Sequence, residues 1–112
     1  MEKLVIKKKF EDCMEYVFQA LTHFPKSERF TTAAEIRNTM LRILKLIIRA
    51  NKTRSRLTLL YDLDVELDVL RSLIRISMAM GFMPFKKYEQ ASLRLAEIGK
   101  MLGGWIKQTA RR

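Results

Sequence analysis

Proline stands at only two of 112 positions, Pro25 and Pro84, and glycine at only four, 81, 99, 103 and 104. These are the residues that punctuate regular structure, so long stretches free of them favour helix. Four such stretches carry apolar side chains at helical spacing. The first runs from about Val5 to Leu21, with Phe10, Met14, Val17 and Leu21 spaced 4–3–4. It ends before Phe24-Pro25-Lys26-Ser27-Glu28-Arg29, a turn-rich connector. The second opens at Thr31 or Thr32, with Glu35 three residues after Thr32 as in a capping box, and continues to about Asn51. The third follows the polar link Lys52-Thr53-Arg54-Ser55 and ends at about Met80, before Gly81. The fourth starts near Pro84, a residue suited to a first helical turn. It carries Tyr88, Ala91, Leu95, Ile98, Leu102 and Trp105 on one stripe.

One stretch points the other way. Asp62-Leu63-Asp64-Val65-Glu66-Leu67-Asp68-Val69 alternates polar and apolar, the period of a strand. Leu60, Leu63, Leu67, Leu70 and Ile74 keep a 3–4 spacing across the same residues and beyond, within a longer segment free of breakers. The longer pattern predicts helix, and Asp near a helix start also complements the macrodipole. Four helices of roughly 20 residues joined by short loops make an all-α fold. The expected form is an antiparallel up-down-up-down four-helix bundle, one domain over residues 1–112.

The second helix spreads Ile36, Met40, Leu41, Ile43, Leu44, Leu46, Ile47, Ile48 and Ala50 over an arc of roughly 220°, where a surface helix needs about 100°. The third is similarly broad. Either these helices are packed deeply between neighbours, or a second interface makes the protein an oligomer. Arg37 and Glu66 fall inside the two apolar arcs. They are expected either to pair with each other or to extend to the rim of the core.

Chemistry is sharply bounded by composition. The single cysteine, Cys13, excludes an intramolecular disulfide and a thiolate metal cage, and a single histidine, His23, excludes the paired ligands of di-iron bundles. His23 sits in the connector and reads as a surface residue; Cys13 reads as a small residue at the core edge. Asp62, Asp64, Glu66 and Asp68 lack the Gly turn and ligand spacing of a calcium loop. They read as a solvated face or as partners for Arg and Lys. Gly103-Gly104 has neither the lysine nor the strand of a phosphate loop. No catalytic site, cofactor or metal is expected. The charged N-terminal segment has no apolar core of a signal peptide, and no apolar run approaches a membrane span. The expected setting is the cytoplasm.

The net charge is +10, and it is distributed in blocks. Residues 1–36 are neutral, 37–56 carry +7 with no acid, 57–70 carry −4 with no base, and 71–112 carry +7. Arg42, Lys45, Arg49, Lys52 and Arg56 follow a 3–4–3–4 spacing that places them within about 80° on a wheel, opposite the apolar arc. Arg54 joins them from the link. Arg71 and Arg75 form a one-turn pair on the third helix, on a face shared with Asp64 and Asp68. A row of cations without interleaved acid neutralises several phosphates at once. No aromatic side chain interrupts it, so the expected mode is contact with the nucleic-acid backbone, weak in sequence preference. A merely solvated face is the alternative. A membrane-surface role fits less well, because the basic face lacks an exposed Trp or Phe edge.

Several motifs set on this frame resemble one family. Leu21-Thr22-His23-Phe24-Pro25-Lys26-Ser27-Glu28-Arg29-Phe30 leads into Ile36-Arg37. Leu67-Asp68-Val69-Leu70-Arg71-Ser72-Leu73-Ile74-Arg75 follows on the third helix, and Glu97-Ile98-Gly99-Lys100-Met101-Leu102-Gly103-Gly104-Trp105 near the end. The chain resembles the accessory variability determinant (Avd) proteins of diversity-generating retroelements over nearly its whole length. The resemblance implies a basic bundle assembled as a ring-like homo-oligomer, a pentamer. It also implies binding to a reverse transcriptase and to RNA or DNA in support of mutagenic retrohoming, with no catalytic site of its own. A cousin family, the bundle proteins encoded within 23S ribosomal RNA intervening sequences, shares fold and basic character. A structural oligomerisation module with an acidic protein partner is the reading from another class.

Overall fold

A computed structural model describes residues 2–111, with side chains from 5 to 111. Helix α1 spans Glu2–Leu21, α2 Thr32–Lys52, α3 Leu57–Ala79 and α4 Phe85–Ala110, with a short 3-10 turn at Lys26–Glu28. The described residues contain no strand, and the alternating stretch 62–69 lies wholly in α3. Each helix packs on two neighbours in the cyclic order α1, α2, α3, α4 and back to α1. Short connectors reverse the chain between successive helices. Contacts across the closing seam run antiparallel: Lys9 pairs with Glu97, while Tyr16, further along α1, meets Arg94 and Lys87, earlier in α4. The result is an elongated bundle of 47 × 23 × 19 Å.

The rows read as core stripes are the core. Phe10, Cys13 and Val17 from α1, Ile36, Met40, Ile43 and Ile47 from α2, Leu60, Leu63, Leu67 and Leu70 from α3, and Leu95, Ile98 and Leu102 from α4 are all buried. Each Leu, Ile or Phe removed from water in this way contributes roughly 1.5–3 kcal/mol. Tyr88, expected on the α4 stripe, is half-buried and stacks obliquely on Phe85 at 5.9 Å. Cys13 lies inside the core rather than at its edge; burial pushes its thiol up to about 12, so it stays protonated and inert.

Helix boundaries depart from the sequence reading at one cap. The Thr32–Glu35 capping box does not form: Thr31 is the N-cap of α2, and its side chain makes no cap hydrogen bond. Instead the Thr31 and Thr32 hydroxyls donate to Glu28 Oε1 at 3.0 and 2.7 Å. These bonds, Thr32's first, hold the Glu28 carboxyl below its ordinary range. Glu28 in the 3-10 turn thus competes for the hydroxyls that a capping box would use.

At its other end α3 closes in a Schellman motif. Phe82 N–H donates to Ser77 O at 2.8 Å and Gly81 N–H to Met78 O at 3.0 Å, with Gly81 at φ +81°. Phe82 then meets Phe24 of the opposite connector at 5.9 Å between centroids, which ties the two loops over one end of the core. A Cβ at position 81 meets nothing within 4 Å, so a substitution there pays only for the left-handed backbone. Gly81→Ala is expected to lower unfolding free energy by about 1 kcal/mol. Urea denaturation should show this as a lower midpoint at unchanged slope.

Candidate nucleic-acid face

The rotation of α2 about its axis is set by Ala33, Ile36, Met40, Ile43, Ile47 and Ala50, all buried. At 3.6 residues per turn the opposite side carries Lys45, Arg49 and Lys52, all exposed. The charged groups of these three make no ion pair or hydrogen bond among the described residues, so the cations are held side by side without a paired carboxylate. The α2 surface is the expected one, but it is not uniform.

Arg42 stands at its edge toward α3. Its Nε donates to Glu66 Oε1 at 3.1 Å, and its Nη2 to the buried Thr39 hydroxyl at 3.0 Å. Arg42 is therefore partly spent on the α2–α3 seam. A shallow groove follows that seam, with Arg42, Lys45, Leu46 and Arg49 on one wall and Asp62, Val65 and Glu66 on the other. Acids thus border the cationic row on its α3 side.

The pair considered between Arg37 and Glu66 is not formed. Arg37 lies on the opposite flank of α2, with its guanidinium carbon 6.0 Å from the centroid of the Phe18 ring on α1. Glu66 faces the other flank, where Arg42 reaches it. The choice follows from helix rotation: one core-facing stripe separates positions 37 and 42 onto different seams.

Arg54 and Arg56 extend the row around the end of the bundle. Arg54 is exposed in the link; Arg56, half-buried, caps α3 and donates from Nε to Thr53 O at 3.0 Å. The link and the last turns of α4 enclose a cleft lined by Arg54, Ser55, Arg56 and Leu57 on one side and Trp105, Gln108 and Thr109 on the other. Among the described residues no carboxylate lines it. Gln108 and Thr109 had no signal in the sequence, because about fifty residues separate them from the link and only the return of α4 joins the two.

Arg71 and Arg75 do not join the α2 row. They lie on the α4 side of α3, where Arg71 Nη2 donates to Leu95 O at 3.0 Å. The guanidinium lies over Gly99: a Cβ there would sit 2.5 Å from Arg71 Nη2, so glycine is what makes room for it. Arg75 is exposed. Of the eight cations, six therefore lie on α2 and the link that follows it, and two form a separate pair on α3.

Among the described residues there is no group of three or more His, Cys, Asp or Glu able to hold a metal ion, and no helix long and apolar enough to cross a membrane. A four-helix bundle with one acid-free cationic helix face defines a class, the small basic bundle proteins. Within that class a family model described as bAvd-like matches residues 4–109, and the chain belongs to this family, as an accessory protein of the bAvd type. No curated protein matches the chain.

The Arg42–Glu66 pair is half-exposed, which limits its worth through solvent screening. Glu66→Ala is expected to change stability by less than about 1 kcal/mol. The same substitution frees Arg42, so it should tighten binding to a polyanion such as heparin, read as later elution in a salt gradient.

Proposed function

We propose that the protein is a non-catalytic accessory factor of a diversity-generating retroelement. It binds the element's reverse transcriptase, and it holds template RNA or its cDNA along the α2 face and the adjoining end cleft, in support of mutagenic retrohoming. Membership of the bAvd-like family supports the setting. The observation that carries the nucleic-acid contact is the row Lys45, Arg49, Lys52 and Arg54, exposed and without a carboxylate partner among the described residues.

Successive turns of α2 present the row at about 5–6 Å intervals, comparable to the spacing of phosphates along an extended strand. Each phosphate neutralised releases condensed counterions, which makes affinity fall with salt. Nothing aromatic stands on the α2 row and Trp105 at the end cleft is buried, so the contact reads phosphates rather than bases. The two side chains best suited to nucleophilic or acid–base chemistry favour a non-catalytic role. The Cys13 thiol is buried and held protonated, and His23 is exposed in a connector, its imidazole without a hydrogen-bonded partner among the described residues. We place the protein in the cytoplasm, acting as a homo-oligomer that multiplies the cationic face; the resemblance puts the ring at five chains.

Titration of a single-stranded RNA at several salt concentrations tests the contact. Replacing Lys45, Arg49 and Lys52 together by Gln should reduce the slope of log affinity against log salt by about 2, at roughly 0.7 per phosphate contact. An unchanged slope would remove the α2 face from the reading.

A further inference from the structure

The outward face of α3 carries exposed apolar side chains as well as charges. Opposite its buried row, Tyr61, Val65, Val69, Ile76 and Met80 are between 41% and 63% exposed. They fall at 4–4–7–4 spacing, with Ser72 filling the gap, and form a second apolar stripe along nearly the whole helix. No element among the described residues covers it. Both connectors that flank α3 lie at the bundle ends.

Charge along this stripe is segregated in a self-matching way. On one flank, within roughly 60° on a wheel, stand Asp64, Asp68, Arg71 and Arg75 in that order. Two acids precede two bases, symmetric about a point between Val69 and Leu70. Asp64, Asp68 and Arg75 make no ion pair or hydrogen bond among the described side chains, and Arg71 has only a carbonyl partner. When two copies of such a helix lie antiparallel about a two-fold axis, the same flank of each meets. Residues whose numbers sum to 139 then come level, so Asp64 faces Arg75 and Asp68 faces Arg71, each twice. At the centre of this symmetry the surface has a shallow concavity bordered by Val65, Asp68, Val69, Ser72 and Leu73, which a partner side chain can fill.

We propose that the outward face of α3 is a two-fold contact with a second copy of this chain, the two α3 helices packed antiparallel with Val69 near the axis. A parallel arrangement in register would instead set this flank against the partner's opposite flank, where Asp62 and Glu66 stand, so that acid would face acid. Such a contact is isologous, whereas a ring of five closes through head-to-tail contacts. It therefore joins two single chains, or two rings back to back. The stripe is one helix wide, so the contact is small and its formation depends on concentration. The proposal concerns self-association only and does not rest on nucleic-acid binding.

Cysteine cross-linking of the full chain tests it, because the native Cys13 is buried and inert. Val69→Cys sits within about 2 Å of the axis along the helix at 1.5 Å per residue and should form a disulfide-linked dimer under mild oxidation. Tyr61→Cys, about 26 Å from its own copy by the same measure, should not. By sedimentation, Asp64→Arg or Arg75→Asp alone should weaken self-association at least tenfold, and the two together should restore it. All four positions are exposed, so the variants keep the fold, which circular dichroism checks. Absence of the Val69→Cys link, equal linking of Tyr61→Cys, or failure of the charge swap to restore association would overturn the proposal.

Discussion

The buried row Ile36, Met40, Ile43 and Ile47 sets how α2 is turned, and most of what the molecule presents follows from that turn. Helix neighbours pack against the row from both sides, so every other position of α2 is assigned to a seam or to solvent by angle alone. Leu44 and Leu46 fall at the seams and pack half-buried against the core, and Ile48 is half-buried. The breadth of the apolar arc on α2 is thereby mostly absorbed within one chain. Lys45, Arg49 and Lys52 fall on the solvent side because burying a lysine or arginine without a partner is far costlier than leaving an isoleucine partly exposed.

Electrostatic contacts follow this arrangement rather than direct it. Arg37 and Arg42 are five residues apart and end on opposite seams, one against an aromatic ring and the other on a carboxylate. Glu66 takes the arginine that helix rotation brings to it. The same holds on the α3–α4 seam, where the missing side chain of Gly99 decides that Arg71 can lie down and reach Leu95 O. A basic residue in this protein is thus free for a ligand only if no seam claims it. Lys45, Arg49 and Lys52 meet that condition, whereas Arg42 and Arg71 meet it in part.

The two broad apolar helices part company in the structure. The surplus on α2 is largely taken up by α1 and α3, with Leu41 the main exception, whereas the surplus on α3 remains exposed. The chain is an accessory protein of the bAvd type, and α2 and α3 present two chemically different faces. One is cationic and suited to phosphates; the other is apolar with balanced charge and suited to protein.

Helical periodicity and the scarcity of breakers were enough to read four helices, their core rows and the end of α3 at Gly81. These depend on spacing along one chain segment, and the strand-like alternation at 62–69 yielded to the longer 3–4 pattern around it. The cationic row was legible for the same reason as far as Arg42, Lys45, Arg49 and Lys52, which share one helix, whereas Arg56, read onto the same wheel, stands beyond the end of α2 at the cap of α3. Tertiary structure alone decided that Glu66 pairs with Arg42 rather than Arg37, that Gln108 and Thr109 face Arg54 and Arg56, and that Arg71 and Arg75 stand apart from the α2 row. Each of these depends on how two helices are rotated and brought together. That is settled by burial summed over the whole core, a sum to which no single segment of sequence has access.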